Sequence, residues 1–269
     1  MKVAITGAND GIGKETARQL LEKGHQVVMI SRDSTKSENA AEQLRKTGVV
    51  DLIRCDLANL SEVARAAEKL TVDHPETQVV ICNAGVMSKR RRESRDGLEL
   101  NFAVNHLAHF LLVTRILDLL EKNAPSRVVV VSSMVHESGR VDLSNLQMES
   151  GYDGMRAYAQ SKRANVLFVY ELSRRLEGSG VTANALHPGV IATKLLHEYF
   201  SGGAPVTDGA KSSVYLATSE EIGTVTGQYF KNSAPAPSSA LEGDGETARR
   251  LWERSEELVN EILSGSRKE

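Results

Sequence analysis

The sequence has few cysteines, no excess of charge of one sign and no signal-peptide pattern. Its two cysteines, Cys55 and Cys82, are too few for a disulfide framework and indicate a reducing compartment. Lysine and arginine number 33 against 35 aspartates and glutamates, which gives a formal net charge of −2. This balance predicts neither nucleic acid nor an anionic membrane surface as a partner. Met1 and Lys2 lead directly into an apolar segment, so we expect no signal peptide.

Long apolar runs are also missing. The most apolar long stretch, 110–120, is interrupted by Arg115 and Asp118, whereas a membrane-spanning helix needs about 20 mostly apolar residues. We therefore expect no membrane anchor and predict a cytoplasmic protein. What is present is ordinary globular composition, with 41% hydrophobic and 25% charged residues. A chain of 269 residues can form one α/β domain, and we predict a single domain over residues 1–269.

Short apolar segments alternate with longer helical patterns from one end of the chain to the other. The predicted strands are 2–6, 26–31, 49–54, 78–82, 127–132, 181–187 and 226–230. The predicted helices are 13–23, 36–47, 59–73, 97–121, 156–178, 207–218 and 245–263. This alternation predicts an α/β fold with a doubly wound parallel sheet of the Rossmann type, about seven strands and helices on both faces. Residues 231–245, rich in Ala, Pro, Ser and Gly, predict a loop.

Three glycines, Gly7, Gly11 and Gly13, follow the first predicted strand and lead into the first predicted helix. Glycine allows a tight turn and lets phosphate oxygens approach the backbone, and a helix N-terminus presents free N–H groups to an anion. We predict that this loop binds the pyrophosphate of a dinucleotide, with a purely structural strand-to-helix turn as the alternative. Asp10 adds a negative charge there unless its side chain caps the helix.

The end of the second predicted strand indicates which dinucleotide is bound. An NAD site usually has an acidic residue at this point for the ribose 2′-hydroxyl. Here the strand ends in Ser31 and Arg32, and a guanidinium forms charge-assisted hydrogen bonds with phosphate. The sequence therefore favours NADP(H) over NAD(H). An exposed arginine at a strand end is the alternative, and Asp33 directly after it weakens the prediction.

A tyrosine, a lysine and a serine are the candidate catalytic groups. Tyr158 and Lys162 are four residues apart in the first turns of a predicted helix and share one face. A neighbouring ammonium lowers the pKa of a phenol from about 10, which makes Tyr158 a candidate general acid or base. Ser132 and Ser133 follow a buried strand, where ligands of parallel sheets bind. The alternative for Tyr158 and Lys162 is a chance contact on the protein surface. The alternative for the two serines is a loop start or a helix cap.

Taken together, these segments resemble the short-chain dehydrogenase/reductase family. The resemblance rests on Thr6-Gly7-x3-Gly11-x-Gly13, Asn83-Ala84-Gly85, Ser133 and Tyr158-x3-Lys162, in this order and approximate spacing. Further segments are similar to the retinol dehydrogenase-like branch of the family. These are 96–97, 104–112, 126–128, 187–189 and 249–252.

The resemblance implies a role for each matching residue. Tyr158 would give or take a proton, while Lys162 would lower its pKa and hold the nicotinamide ribose. Ser133 would polarise the substrate carbonyl, and Asn105 would anchor a water in a proton relay to Lys162. The other implied cofactor-binding residues are Gly7, Asn9, Asp10, Gly11, Ile12, Gly13, Arg32, Asp56, Leu57, Asn83, Ala84, Gly85, Pro188, Gly189, Val190 and Thr193. Among these, Arg32 would bind the 2′-phosphate and Asp56 the adenine.

The predicted function is NADP-dependent hydride transfer between NADP(H) and an alcohol or carbonyl substrate. Carbonyl reduction needs a hydride that no side chain supplies, so a cofactor must carry it. The alternative from another class is an NADP-binding regulatory sensor without turnover. A sugar-nucleotide epimerase or dehydratase would need a larger C-terminal substrate domain than the segment after Thr193 provides.

The segment 195–241 is predicted to form a substrate lid, because its glycines permit hinging. Its apolar residues favour a lipophilic small-molecule substrate, with helix packing as the alternative; they are Leu195, Leu196, Tyr199 and Phe200. No metal site is predicted, since His106 and His109 have no third ligand at suitable spacing. In the family the helices at 97–121 and 157–176 often pack across a two-fold axis, which leaves a homo-oligomer open.

Overall fold

Eight strands form one sheet in this computed structural model, which describes residues 1–32, 34–193, 202–240 and 244–265. The strands are β1 Lys2–Thr6, β2 Gln26–Ser31, β3 Val50–Arg54, β4 Thr77–Cys82, β5 Ser126–Val131, β6 Val181–His187, β7 Tyr229–Lys231 and β8 Ala234–Pro235. Their order is β3-β2-β1-β4-β5-β6-β7-β8, and the first seven run parallel. The predicted Rossmann-type sheet is therefore confirmed.

The eighth strand corrects the prediction of a loop at 231–245. β8 pairs antiparallel with β7, and Phe230 faces Pro235 across the pair. The two residues of the connecting turn, Asn232 and Ser233, both have positive φ, as tight hairpin turns require. Pro235 is tolerated because β8 lies at the sheet edge, where its missing N–H breaks no ladder. A two-residue strand has no apolar periodicity, so the sequence pattern did not reveal it.

Both faces of the sheet are covered by helices, which is why the central strands are apolar without alternation. In β1, Val3 and Ile5 pack into one apolar cluster, while Ala4 packs into a second cluster on the opposite face. The helices are α1 Gly11–Glu22, α2 Thr35–Arg45, α3 Leu60–Asp73, α4 Leu100–Phe102, α5 Ala108–Arg115, α6 Leu117–Lys122, α7 Gly154–Arg175, α8 Val206–Thr218 and α9 Gly245–Leu263. Among the described residues, no helix is both long and apolar enough to cross a bilayer.

The predicted helix 97–121 is interrupted. A π-helical stretch, Ala103–Leu107, separates α4 from α5, and Ile116 separates α5 from α6. The π-helical stretch is as apolar as the helices on either side of it, so the sequence pattern predicts one long helix. Such π-helical turns rotate the side chains that follow and are frequent at functional sites. Asn105, one of the predicted catalytic residues, lies in this stretch.

The strand order reverses between β1 and β4, because the chain builds β2 and β3 on one side of β1 and then crosses to the other. In open α/β sheets, ligands bind beyond the carboxyl ends of the strands at this switch point. The glycine loop follows β1 and the Asn83-Ala84-Gly85 segment follows β4, so both segments flank the same crevice.

Candidate active site

A cleft of about 2220 Å³ runs along the carboxyl ends of the strands. Every site residue predicted from the sequence lines this cleft except Asn105, which lies behind Gly85. The fold thus brings together residues that are up to 186 positions apart, from Gly7 to Thr193. The apolar lid candidates Leu195, Leu196, Tyr199 and Phe200 lie outside the described residues. Within the predicted lid segment, α8 packs closely on α1, where a Cβ on Gly209 would lie 3.0 Å from Ile12.

The glycine loop packs directly against the turn after β4. A Cβ on Gly13 would lie 2.4 Å from the Gly7 carbonyl oxygen and 2.4 Å from Asn83 Nδ2. Gly7 has φ of +69°, and a Cβ there would lie 3.0 Å from Ala84 Cα. These distances leave no room for a side chain at either position. The glycines are therefore required by close approach of two backbone segments as well as by backbone conformation.

The start of α1 is open to an anion. Asp10 precedes the helix with an extended backbone but gives it no side-chain cap, so its negative charge remains beside the loop. Its carboxylate instead pairs with the Lys36 ammonium, which offsets its negative charge. The first N–H groups of a helix have no partner within the helix, and the helix dipole adds partial positive charge. The residues present thus fit the pyrophosphate of a dinucleotide.

The turn between β2 and α2 holds basic groups at one end of the cleft. The Ser37 hydroxyl donates to the Arg32 carbonyl oxygen at 2.7 Å and accepts from Asn9 Nδ2 at 3.1 Å. These bonds attach the turn to the glycine loop. Arg32 and Lys36 both line the cleft, while Asp33 lies outside the described residues. Lys36 is not among the residues predicted from the sequence, although its position four residues after Arg32 was a usable signal.

The turn that follows β4 comprises residues 83–86, and two residues anchor it. Thr6 Oγ1 accepts from the backbone N–H of Asn83 at 2.9 Å and of Ala84 at 3.0 Å. On the other side, Asn105 Oδ1 accepts from the Val86 N–H at 2.7 Å, and its Nδ2 donates to the Val86 carbonyl at 2.9 Å. We refer to Thr6 and Asn105 as the two anchors of this turn.

Asn105 also connects the turn to α7. Its Nδ2 donates to Ser161 Oγ on α7 at 2.9 Å. A Cβ on Gly85 would lie 3.4 Å from both Asn105 Oδ1 and Lys162 Nζ, so the two side chains lie on the same side of this glycine. Gly85 therefore lies against both side chains, and a larger residue there would press on both.

Tyr158, Lys162 and Ser133 converge where β5 ends. Asp153 accepts from the Arg156 N–H at 2.8 Å and so starts α7 at Gly154, which places Tyr158 and Lys162 in its first turns. The Lys162 ammonium donates to the Val131 carbonyl at 3.0 Å and lies 5.6 Å from the centre of the Tyr158 ring. Both residues are buried, Tyr158 at 8% and Lys162 at 3% exposure, yet both line the cleft.

Burial changes the electrostatic prediction for the tyrosine. It raises the pKa of Tyr158 to about 12, although a hydrogen bond with Ser133 acts in the lowering direction. Burial also lowers the pKa of Lys162 to about 8. The direction is therefore opposite to the lowering of the Tyr158 pKa that was predicted from Lys162, because burial disfavours the charged phenolate. At neutral pH the phenol therefore keeps its proton.

The loop after β6 borders the same cleft. The Ala192 N–H donates to the Ala204 carbonyl at 2.9 Å, and the Ala204 N–H donates to the Val190 carbonyl at 2.8 Å. A Cβ on Gly11 would lie 3.7 Å from Thr193 Cγ2, so this loop reaches the glycine loop. Thr193 therefore lies beside the start of α1, and the predicted residues Pro188, Gly189 and Val190 line the same cleft.

The two histidines at 106 and 109 have separate partners. His106 Nε2 lies 3.0 Å from Ser255 Oγ of α9, and its ring contacts the Phe102, Phe110 and Phe168 rings. His109 lies between Thr6 and Asn105. Within the described ranges, no three His, Cys, Asp or Glu side chains come together as metal ligands.

Comparison with known proteins agrees with this geometry. The family model described as short chain dehydrogenase matches residues 1–203. Human retinol dehydrogenase 13 is 41% identical over 96% of this chain and 84% of its own, and human retinol dehydrogenase 14 is 39% identical over 96% and 85%. These relatives match nearly the whole chain.

Solved structures share the fold. A crystal structure of an uncharacterised protein from Mycobacterium paratuberculosis has a TM-score of 0.81 and 36% identity, and covers 96% of this chain and 93% of its own. A structure from Beutenbergia cavernae, described as a NAD(P)-dependent gluconate 5-dehydrogenase with bound NADP, has a TM-score of 0.71 and 23% identity. That match covers 86% of this chain and 94% of the other.

Proposed function

The chain belongs to the short-chain dehydrogenase/reductase family, in its retinol dehydrogenase-like branch, and we propose that it transfers a hydride between NADP(H) and a lipophilic alcohol or carbonyl compound. It is an oxidoreductase of that family. One observation carries the proposal. Ser133, Tyr158 and Lys162 meet at the end of β5, in the same cleft as the open start of α1.

The side chains supply what carbonyl reduction needs besides the hydride. The bound nicotinamide cofactor supplies the hydride. Ser133 and Tyr158 direct hydroxyl groups at the position where negative charge develops on the substrate oxygen. Tyr158 then gives its proton to that oxygen, which its raised pKa permits at neutral pH. The Lys162 ammonium stabilises the phenolate that remains, because opposite charges attract strongly in a buried site.

Part of the cleft wall favours an apolar substrate. The side chains without charge in this part are Met87, Leu100, Val104, Met134, Val135 and Met155. Burying apolar surface of a ligand contributes roughly 25 cal/mol per Å². This wall therefore supports a substrate with a hydrocarbon body attached to its alcohol or carbonyl group.

The proposal is tested by a panel of aldehydes and ketones of increasing chain length. Purified protein is mixed with NADPH, and loss of the reduced nicotinamide absorbance is followed, with Tyr158→Phe protein as the blank. We expect turnover with apolar carbonyl compounds and faster turnover as the chain lengthens. Tight NADPH binding with no turnover on the whole panel would instead support the regulatory sensor.

The cofactor preference has its own prediction. Arg32→Asp is expected to weaken NADPH binding by about tenfold or more, since a charge-assisted hydrogen bond is replaced by repulsion. NADH binding should improve or stay unchanged, because NADH carries no 2′-phosphate. Fluorescence titration with both cofactors measures the two affinities.

Lys122→Asp is the control for this experiment. It makes the same charge change at an exposed site on α6 that does not line the cleft. The control should leave both affinities within about twofold of the native values. A native protein that already binds NADH more tightly than NADPH would contradict the assignment of Arg32.

A further inference from the structure

His109 lies between the two anchors of the 83–86 turn. Its Nε2 is 2.9 Å from Thr6 Oγ1, and its Nδ1 is 3.0 Å from the Asn105 carbonyl oxygen. The side chain is 1% exposed and does not line the cleft. It therefore does not face the cleft, yet it is hydrogen-bonded to both anchors of the 83–86 turn.

The direction of every hydrogen bond in this group follows from its chemistry. A carbonyl oxygen only accepts, so His109 Nδ1 carries the proton that is donated to Asn105. Burial lowers the pKa of His109 to about 4, so at neutral pH the ring has this one proton and Nε2 is an acceptor. The Thr6 hydroxyl accordingly donates to Nε2. Its oxygen is left to accept the N–H groups of Asn83 and Ala84.

This chain of bonds orients Thr6. Thr6 Oγ1 lies 3.5 Å from the Ile81 carbonyl, a longer and weaker alternative for its proton than His109. With its proton on His109, the hydroxyl presents both lone pairs to the two N–H groups of the turn. The ring also holds the carbonyl of Asn105 inside the π-helical stretch, where the helix is locally unwound.

We propose that His109 is a positioning residue, which sets the spacing of Thr6 and Asn105 and so the shape of the 83–86 turn against cofactor and Lys162. It acts on the reaction only through these anchors. The inference extends the proposed function, since it assigns a residue to the same nicotinamide-dependent chemistry. Its consequence for cofactor binding is measurable without turnover.

His106 provides a matched control. It is three residues earlier, equally buried at 1% exposure, and within hydrogen-bond distance of Ser255 instead of Thr6. A histidine that merely fills the core should behave in the same way at both positions. Removal of hydrogen-bonding groups at His106 should therefore lower stability and leave the cofactor site intact.

The experiment compares His109→Phe, His109→Gln and His106→Phe in the full chain. NADPH and NADH affinities are measured by fluorescence titration, stability by urea unfolding, and kcat and KM with the best carbonyl compound of the panel. His109→Phe is expected to weaken binding of the preferred cofactor by about tenfold and to lower kcat, because buried partners are left unpaired. His106→Phe should lower the free energy of unfolding by a similar amount to His109→Phe. Its cofactor affinity should stay within about twofold of the native value.

His109→Gln tests the direction of the bonds. Its carboxamide oxygen can take the place of Nε2 and accept the Thr6 proton, so affinity should return to within about threefold of native. Thr6→Val removes the anchor itself. In that background His109→Phe should have little further effect on cofactor affinity, because the two residues act as one unit.

Three outcomes would overturn the inference. They are equal affinity losses in His109→Phe and His106→Phe, no loss in His109→Phe, or full additivity of His109→Phe with Thr6→Val. Failure of the proposed function has a different signature. It appears as native protein that binds cofactor but turns over no carbonyl compound, and the titrations still decide the role of His109.

Discussion

Tyr158→Phe is expected to reduce turnover by about a thousandfold, while NADPH binds within about threefold of native affinity. The substitution removes one oxygen atom from a side chain that is 8% exposed and leaves the ring in place. The proton that this oxygen supplies is lost, and so is one of the two hydroxyls directed at the substrate oxygen. Positioned proton transfer contributes about a hundredfold to ten-thousandfold to enzymatic rates, which sets the expected range.

Single-turnover absorbance measurements with saturating NADPH test this expectation. Tyr170→Phe is the matched control, because Tyr170 is on the same helix but does not line the cleft. It should keep native turnover within about twofold. If Tyr158→Phe retained more than a tenth of native turnover, the phenol would not be the proton donor, and the assignment of this site as catalytic would fail.

Gly13→Ala is expected to weaken NADPH binding by at least about thirtyfold, the equivalent of ~2 kcal/mol. The added methyl group would lie 2.4 Å from both Gly7 O and Asn83 Nδ2, so the glycine loop must move away from the 83–86 turn. That movement displaces the first N–H groups of α1 from the position where they meet the phosphates. Overpacking of this kind also lowers the free energy of unfolding by about 1–3 kcal/mol.

Gly245→Ala is the control for the glycine experiment. Gly245 is also in the first turn of a helix, α9, but its Cβ would lie 3.7 Å from the Tyr170 ring, which is an ordinary contact. We expect native cofactor affinity and native or slightly higher stability, since alanine favours helix over glycine. Fluorescence titration and urea unfolding measure both variants. Native NADPH affinity in Gly13→Ala would show that the close approach of the two segments is not needed.

Much of the fold is predictable because its signals are local. Runs of Val and Ile without alternation, as in β1 and β5, are stable only when both faces of a strand are covered, so they predict a sheet between two helical layers. The four-residue spacing of Tyr158 and Lys162 likewise places both on one face of α7. The resemblance to the family added roles for the individual residues of these motifs, because the motifs occur in the order and spacing typical of the family.

The sequence alone determined the strand–helix alternation, the glycine loop and the residues that could carry proton transfer, because spacing along one element decides which side chains share a face. Only the tertiary structure decided the π-helical stretch that aims Asn105, the Lys36 partner of Asp10 and the link of His109 to Thr6. It also reversed the predicted direction of the Tyr158 pKa shift. Burial and long-range hydrogen bonds depend on elements that are far apart in the chain, and no local pattern records which of them will meet.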